Sequence, residues 1–372
     1  MEIYLVGGFI RDRLLNLTSS DKDFVVVNGT KSMMKAQGFI EIGQFFPVFL
    51  DPHTKEEYAL ARKEKKVAQG HCGFDVDIEN VTLEEDLSRR DLTINAIAED
   101  TNGNLIDPFG GMRDIEKRIL CHVSPAFVED PLRVFRVARF FVKLFSFHFT
   151  IDENTLLLMK NMVSSGELKT ISKERIYQEL SKVLSYAHPI YFFIILKQCD
   201  VFSVWLNCKT LDFVEYLPDM SQLSPIEKLA VILLLSTNFN IEPALIKEDL
   251  NHFMCAFGIP RSWYKLVIII VIYTPRVAQY FDFDDMQCLD FFNEIDLWRK
   301  PESFDTFLNC FHYFTKDIVA YRFFMDLSKS LRGILLHEYD LLGMTGQEIY
   351  QLKQGLRLDM IQQYFQNKIK SC

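Results

Sequence analysis

Several features are scarce in this chain of 372 residues. No C-x-x-C pair occurs among its eight cysteines, so neither a zinc knuckle nor a redox dithiol organises it. Scattered thiols of this kind read as free cysteines in a reducing cytoplasm. No basic segment followed by a long apolar stretch opens the sequence, so MEIYLVGG does not read as a signal peptide. The longest apolar runs, LAVILLL (Leu229 to Leu235) and LVIIIVIY (Leu266 to Tyr273), fall far short of the roughly 20 residues that span a bilayer. They read as buried helices, and no membrane partner is expected. Low-complexity tracts, Pro- or Gly-rich linkers and internal repeats are absent, so joints between domains are expected in helices. Positive charge is also short. The formal net charge is −9, so nucleic-acid binding would require basic residues gathered in one place.

What is present suits a large, packed protein. Hydrophobic residues make up 49%, and the length allows two or more domains. The first 120 residues mix short apolar runs with turns. Candidate strands are Asp23–Val27, Phe39–Ile42, Phe46–Leu50, Tyr58–Ala61 and Leu105–Ile106, broken at Asn28-Gly29, Asp51-Pro52 and Asn102-Gly103. Ile10–Leu15 and Asp91–Ala98 read as helices. From about Asp130 the pattern turns helical: PLRVFRVARFFVKLF opens on Pro131 and spaces its apolar residues three and four apart. The reading is therefore α+β, with a mixed-sheet domain to about residue 120 and a helical remainder. Monomer and dimer are both compatible with it.

Four motifs carry chemistry. In SSDKDFVVV, Asp21 and Asp23 lie one residue apart ahead of a β-branched run. On an extended chain such residues share a face, where two carboxylates repel unless a cation sits between them. Divalent ions such as Mg²⁺ use such pairs together with substrate phosphates, although a solvated turn before a strand would look the same. In LVGGFIRDRLL, Gly7 and Gly8 would let the backbone approach a phosphate, and Arg11 one turn later could clamp it. An ordinary strand–turn–helix corner also has this form. In RRDLTINAIAED, Arg90 and Asp91 would open a helix with Asn95 on the same face as Asp91. Arg90 could then reach a triphosphate or sugar, and Asn95 a ribose or the neighbouring loop. In EDPLRVFRVARF, Arg133, Arg136 and Arg139 form a basic ridge, which would otherwise be a solvated helix face. Asp130 beside Arg133 pairs an acceptor with a donor, as the edge of a nucleobase does.

These motifs, in this order and spacing, resemble those of class II tRNA nucleotidyltransferases, the CCA-adding enzymes. FPVFL (Phe46 to Leu50), EEYALAR (Glu56 to Arg62), DPFGG (Asp107 to Gly111) and HVSPAFVEDPLR (His122 to Arg133) are similar to the bacterial multifunctional CCA protein subgroup. The likeness is dense over residues 1–145, thins over ISKERIYQEL (Ile171 to Leu180), and returns weakly at IDLWRKP (Ile295 to Pro301) and GMTGQEI (Gly343 to Ile349).

The resemblance implies a polymerase-β-like nucleotidyltransferase head over residues 1–120, a base-selecting neck over 121–205, a body over 206–290 and a tRNA-binding tail over 291–372. It implies template-independent addition of C, C and A to the 3′ end of tRNA from CTP and ATP. Asp21 and Asp23 would be the catalytic, Mg²⁺-binding pair. Gly7, Gly8, Arg11, Arg90, Asp91 and Asn95 would hold the nucleotide's phosphates and sugar. Asp130 and Arg133 would read the base, with Arg136 and Arg139 beside them. Glu57 is a further candidate carboxylate. Arg62–Phe74 matches the family's mobile loop. A poly(A) polymerase, a CC-only or A-only enzyme, or a non-catalytic RNA-binding module on the same scaffold are the competing readings. One departure stands out. Many relatives in the subgroup carry a phosphohydrolase marked by a His-Asp pair, and no His-Asp dipeptide occurs in this chain. Phosphatase and phosphodiesterase activities are therefore expected to be absent.

Overall fold

The protein is described by a computed structural model covering residues 1–19, 21–42, 48–66, 74–77, 80–213, 219–279, 283–334 and 343–369. Among these, Met1–Asn207 form one compact unit, and the residues from Cys208 onward form a second.

The first unit opens with strand β1 (Glu2–Val6), helix α1 (Gly8–Leu14), strand β2 (Asp23–Val27) and helix α2 (Lys31–Ala36). Strands β3 (Ile40–Glu41), β4 (Val48–Leu50) and β5 (Glu57–Leu60) follow, then a hairpin of β6 (Lys63–Lys66) and β7 (Phe74–Asp77). After helix α3 (Leu83–Ser88) come β8 (Ala98–Glu99), β9 (Leu105–Ile106) and helix α4 (Gly111–Lys117). Seven strands make one sheet in the order β3-β4-β5-β2-β1-β8-β9. Only β2 and β5 run parallel in it, so the sheet is mixed. Alternation along β2 sends Val25 and Val27 to one face, against Val6, Leu87 and Ala98, while Val26 packs on the other against Met34, Phe49 and Leu60. Period-2 geometry places Asp23 on the Val25 side, at the open end of the strand.

The first unit continues with β10 (Ile119–Leu120) and α5 (Arg133–Lys143). It continues through β11 (Thr150–Ile151), α6 (Glu153–Ser164), α7 (Lys173–Val183) and α8 (Ile190–Gln198). Val134, Phe135, Val137 and Ala138 bury one side of α5 completely, and α5 packs against α7 and α8. The second unit is helical: α9 (Pro225–Ser236), α10 (Pro243–Ala256), α11 (Arg261–Ala278), α12 (Asp285–Glu294), α13 (Pro301–Thr315), α14 (Ile318–Arg332) and α15 (Gly346–Ile369). The apolar runs noted above are cores of α9 and α11, and a cluster of Phe291, Phe292, Phe304, Phe307 and Phe311 packs α12 on α13. Among the described residues no helix is long and apolar enough to cross a membrane.

The α+β reading holds, with two departures. The remainder is not purely helical, because Ile119–Leu120 pairs in parallel with Thr150–Ile151. The expected helix over Asp91–Ala98 does not form. Arg89 and Arg90 instead follow the end of α3, a single 3-10 turn covers Thr93–Asn95, and Ala98 enters β8. Every residue from Leu92 to Ala98 is buried, so the segment has no polar face from which a helical period could arise. Residues 46 and 47 of FPVFL and residues 67–73 of the basic loop lie outside the described residues.

Candidate active site

A cleft of about 540 Å³ opens in the first unit. Four pieces of chain build it: the Gly7-Gly8 corner, the ends of β2 and β5, the segment after α3, and α5 with Arg175 of α7. Gly7, Gly8, Arg11, Asp23, Arg90, Asp91, Asn95, Asp130, Arg133, Arg136 and Arg139 all line it. Asp21 does not. It lies exposed in the turn before β2, which starts only at Asp23.

The floor of the cleft is acidic. The parallel register sets Asp23 directly beside Glu57. Asp23 is exposed at the strand end, yet crowding of its carboxyl by protein atoms raises it above its ordinary pKa, Glu57 and Asp21 raise it further, and Arg90 opposes them. Three carboxylates therefore act on one another at the strand ends, which favours either a proton or a cation between them. The corner above them requires glycine. Gly7 has φ 78° and ψ −131°, its N–H donates to the Ile97 carbonyl at 3.1 Å, and a Cβ there would stand 3.1 Å from Arg90 Nη1.

The walls are cationic. Nine arginine and lysine side chains line the cleft, against four carboxylates. Most of these cations are held by partners. Arg11 donates to Asp12 Oδ1 from Nε (2.9 Å) and Nη2 (2.7 Å), and to Asn95 Oδ1 from Nη1 (2.6 Å). Arg136 donates to Asp91 Oδ2 from Nε (2.8 Å), and Asn95 Nδ2 donates to Asp91 Oδ1 (2.9 Å). Burial alone would raise the Asp91 carboxyl, but Arg136 and Asn95 outweigh it and hold it well below the usual carboxylate range. Arg139 pairs with Glu179, and the Phe140 ring has the guanidinium groups of Arg139, Arg11 and Arg136 within 4.1, 5.0 and 5.7 Å. Arg133 donates to the carbonyls of Ala126 and Arg89. The ridge on α5 is therefore buried structure facing the cleft, with Arg133 and Arg139 each only 7% exposed, and not a solvated face.

Asp130 and Arg133 both reach the cleft, as their spacing suggests, but the side-chain partner of Asp130 is Arg175, at 2.8 Å. Sequence reasoning missed Arg175, Arg62, Arg89 and Lys143, which also line the cleft, and the buried carboxylates Asp12, Asp86 and Glu179 that orient its cations. Two signals were present. Asp86 stands four residues before Arg90, and Arg175 stands four before Glu179 within ISKERIYQEL. Asp91 and Asn95 do touch, through a turn rather than along a helix. Further out, Asp107 caps α4 by accepting the N–H groups of Gly111 (2.7 Å) and Met112 (2.8 Å). A Cβ on Gly111 would come within 2.2 Å of the Thr93 carbonyl oxygen, so DPFGG lets α4 press against the turn that carries Asn95.

Comparison with known proteins agrees with this geometry. Residues 3–121 match the family described as the poly A polymerase head domain, and residues 148–208 match a probable RNA- and SrmB-binding site of polymerase A. The chain is 43% identical over 343 residues to the multifunctional CCA protein of Aliivibrio salmonicida, covering 83% of this chain and 84% of that one. It is 39% identical over 326 residues to the CCA-adding enzyme of Coxiella burnetii, covering 86% of this chain and 82% of that one. Among solved structures, a CCA-adding enzyme in an apo form superposes with a TM-score of 0.68 at 21% identity, covering 100% of this chain and 90% of the other. The Thermotoga maritima CCA-adding enzyme complexed with tRNA gives 0.66 at 20% identity, covering 100% and 91%. At that identity the likeness speaks for a shared fold.

Proposed function

The chain belongs to the CCA-adding enzyme family, and from that premise we propose how its cleft adds C, C and A to the 3′ end of tRNA from CTP and ATP. The observation that carries the reading is the pairing of Asp23 with Glu57 on the floor of a cleft walled by nine cationic side chains. Clustered carboxylates under a cationic wall suit a nucleoside triphosphate and a divalent cation, and nothing comparable is needed to hold a neutral ligand.

The donor set fits such a cation. Asp23 and Asp21 would hold it, with Glu57 beside them, because their mutual repulsion is relieved by positive charge. Among the described residues no three His, Cys, Asp or Glu side chains close into a cage of their own, so substrate phosphates would supply the remaining ligands. When bound, Mg²⁺ would supply activation of the attacking 3′-hydroxyl and neutralisation of the phosphates.

The protein's own residues do the positioning. Gly7 and Gly8 let phosphate oxygens approach the backbone. Arg90 is braced by Asp86, its Nη2 donating to Oδ2 at 3.2 Å, and it lines the cleft beside the Gly7 corner, where its guanidinium can meet an anion. Asp130, held by Arg175, offers an acceptor, and Arg133, fixed on two carbonyls, offers a donor. An acceptor beside a donor complements the amino group and ring nitrogen that cytosine and adenine share; uracil and guanine present the reverse pattern. The rate then comes mainly from orientation and charge stabilisation. Six unpaired cysteines among the described residues support a reducing, cytoplasmic setting.

The test is incorporation of labelled CTP or ATP, with Mg²⁺, into tRNA ending before the first C, after one C and after two. Two C's and one A, followed by arrest, are expected. A long ladder of A's would make the protein a poly(A) polymerase. Entry of C alone or of a single A would make it one half of a split pathway. Binding of tRNA without incorporation would reduce it to an RNA-binding module.

A further inference from the structure

Lys143, like Arg62 and Arg89, is a cation of the cleft to which neither the sequence motifs nor the reading above gives a role. It ends α5, four residues after Arg139, and so continues the ridge of Arg133, Arg136 and Arg139 along one side of that helix. The three arginines are engaged with carbonyls, Asp91 or Glu179. Lys143 instead reaches across to α1, where its Nζ donates to Asp12 Oδ2 at 2.8 Å. The other Asp12 oxygen already holds Arg11 through two N–H bonds. One buried carboxylate, 4% exposed, is therefore shared by two cations, and the triad carries a surplus positive charge at the cleft surface. Burial first, then the neighbouring Arg11, pushes the Lys143 ammonium below its ordinary pKa, whereas Asp12 opposes this. An anion arriving beside it would relieve that strain on its charged form.

The position narrows the choice of anion. Arg133, at the first residue of α5, lines the cleft together with Asp130, to which the base is assigned, and Lys143 lies ten residues further along, roughly 15 Å away at 1.5 Å per residue. Arg11, its partner in the triad, lies against the Gly7-Gly8 corner, its Nη2 standing 3.5 Å from where a Gly8 Cβ would be. The Lys143 side chain is 26% exposed, and one of its three N–H bonds is directed to Asp12.

We propose that Lys143, steered by Asp12, is a substrate-binding residue that contacts a phosphate oxyanion at the end of the cleft opposite the base. This rests on the nucleotidyl-transfer reading. The oxyanion belongs either to the triphosphate of CTP or ATP or to the backbone of the tRNA 3′ end.

Lys143→Gln removes the ammonium and leaves Asp12 paired with Arg11, so the fold should persist. Steady-state addition of A to tRNA ending in CC should show a KM raised about tenfold or more, as expected for a lost charge-assisted hydrogen bond, with a much smaller change in kcat. Lys143→Arg should recover most of it. If the contact is to the triphosphate, the KM for ATP rises and inhibition by inorganic pyrophosphate weakens in parallel. If it is to the RNA backbone, the KM for tRNA rises and pyrophosphate inhibition is unchanged. Unaltered KM values for both substrates in a folded Lys143→Gln protein overturn the proposal, as does a lowered melting temperature with normal kinetics, which would make Lys143 a strut between helices. A wild-type protein that adds no nucleotide would instead sink the reading on which the proposal depends.

Discussion

At the scale of single residues, the cost of Asp23 is the informative quantity. Its carboxyl is raised by burial, by Glu57 and by Asp21, so its ionised form is less favourable in the folded chain than in the unfolded one. A raised group adds stability below the unfolded pKa and loses it as pH rises through the folded value, so at neutral pH ionised Asp23 weighs against the fold. Asp23→Asn should therefore abolish nucleotide addition and raise the melting temperature at neutral pH, with the gap over wild type closing on acidification. Added Mg²⁺ should stabilise wild type and leave the variant unmoved, since ligand binding stabilises only the state that binds. Scanning calorimetry at several pH values, with and without Mg²⁺, checks this. A variant that melts below wild type at neutral pH would show that the carboxylate is held by partners rather than strained by neighbours.

Among secondary elements, α5 is fastened to the head through Asp91. That carboxylate accepts from Arg136 of α5, from Asn95 and from the Leu92 N–H, and it is held far below its ordinary pKa despite burial. Asp91→Asn leaves Arg136 with Glu179, whose Oε1 is 3.8 Å away, as its remaining ion pair among the described residues. Stability should fall by about 1–2 kcal/mol at neutral pH, less than the cost of unpairing a fully buried charge because the Arg136 side chain is 34% exposed. A lowered carboxyl contributes fully above its unfolded pKa and loses that contribution as pH falls, so the deficit should shrink in acid. Urea unfolding at pH 7 and pH 3, the second below the ordinary carboxylate value, measures both, and a neutral substitution would mean that Arg136 is carried by Glu179 instead. The same element shows where sequence reasoning ends. The strand Asp23–Val27, the glycine corner and the order of the motifs were legible because each is a local pattern. The partners of the cleft cations were not, since Arg136–Asp91, Arg139–Glu179 and Lys143–Asp12 join residues 45, 40 and 131 positions apart. Nothing in helical periodicity encodes such pairs. The segment Leu92–Ala98 misled for the opposite reason: uniform burial erased the alternation from which its 3-10 turn and short strand could have been told from a helix.

For the whole molecule, a net charge of −9 and a polyanionic substrate are reconciled by concentration of charge, with nine cations gathered in one cleft. The remaining question at this scale is how many activities the chain carries. A metal-dependent phosphohydrolase needs several histidines and carboxylates converging on one point. Here the His122 ring sits 2.8 Å from Thr155 Oγ1, His188 meets the edge of Phe145 with ring centroids 5.4 Å apart, and His312 packs on Tyr321 at 5.2 Å. His252 is exposed on α10. These are packing and surface roles at separate places in the fold, His122 beside a strand, His188 ahead of α8, His252 on α10 and His312 on α13, and among the described residues no three His, Cys, Asp or Glu side chains gather to hold a metal ion. Pure protein should therefore hydrolyse neither 2′,3′-cyclic phosphodiesters nor phosphomonoesters when nickel or manganese is supplied, while still adding nucleotides with Mg²⁺. Hydrolysis that tracks the adding activity through purification, and survives in Asp23→Asn, would place a second catalytic centre in the chain. Hydrolysis lost together with addition in that variant would place both reactions in the one cleft. A silent assay restricts the molecule to a single reaction, so that every charge in the cleft answers to nucleotide and tRNA alone.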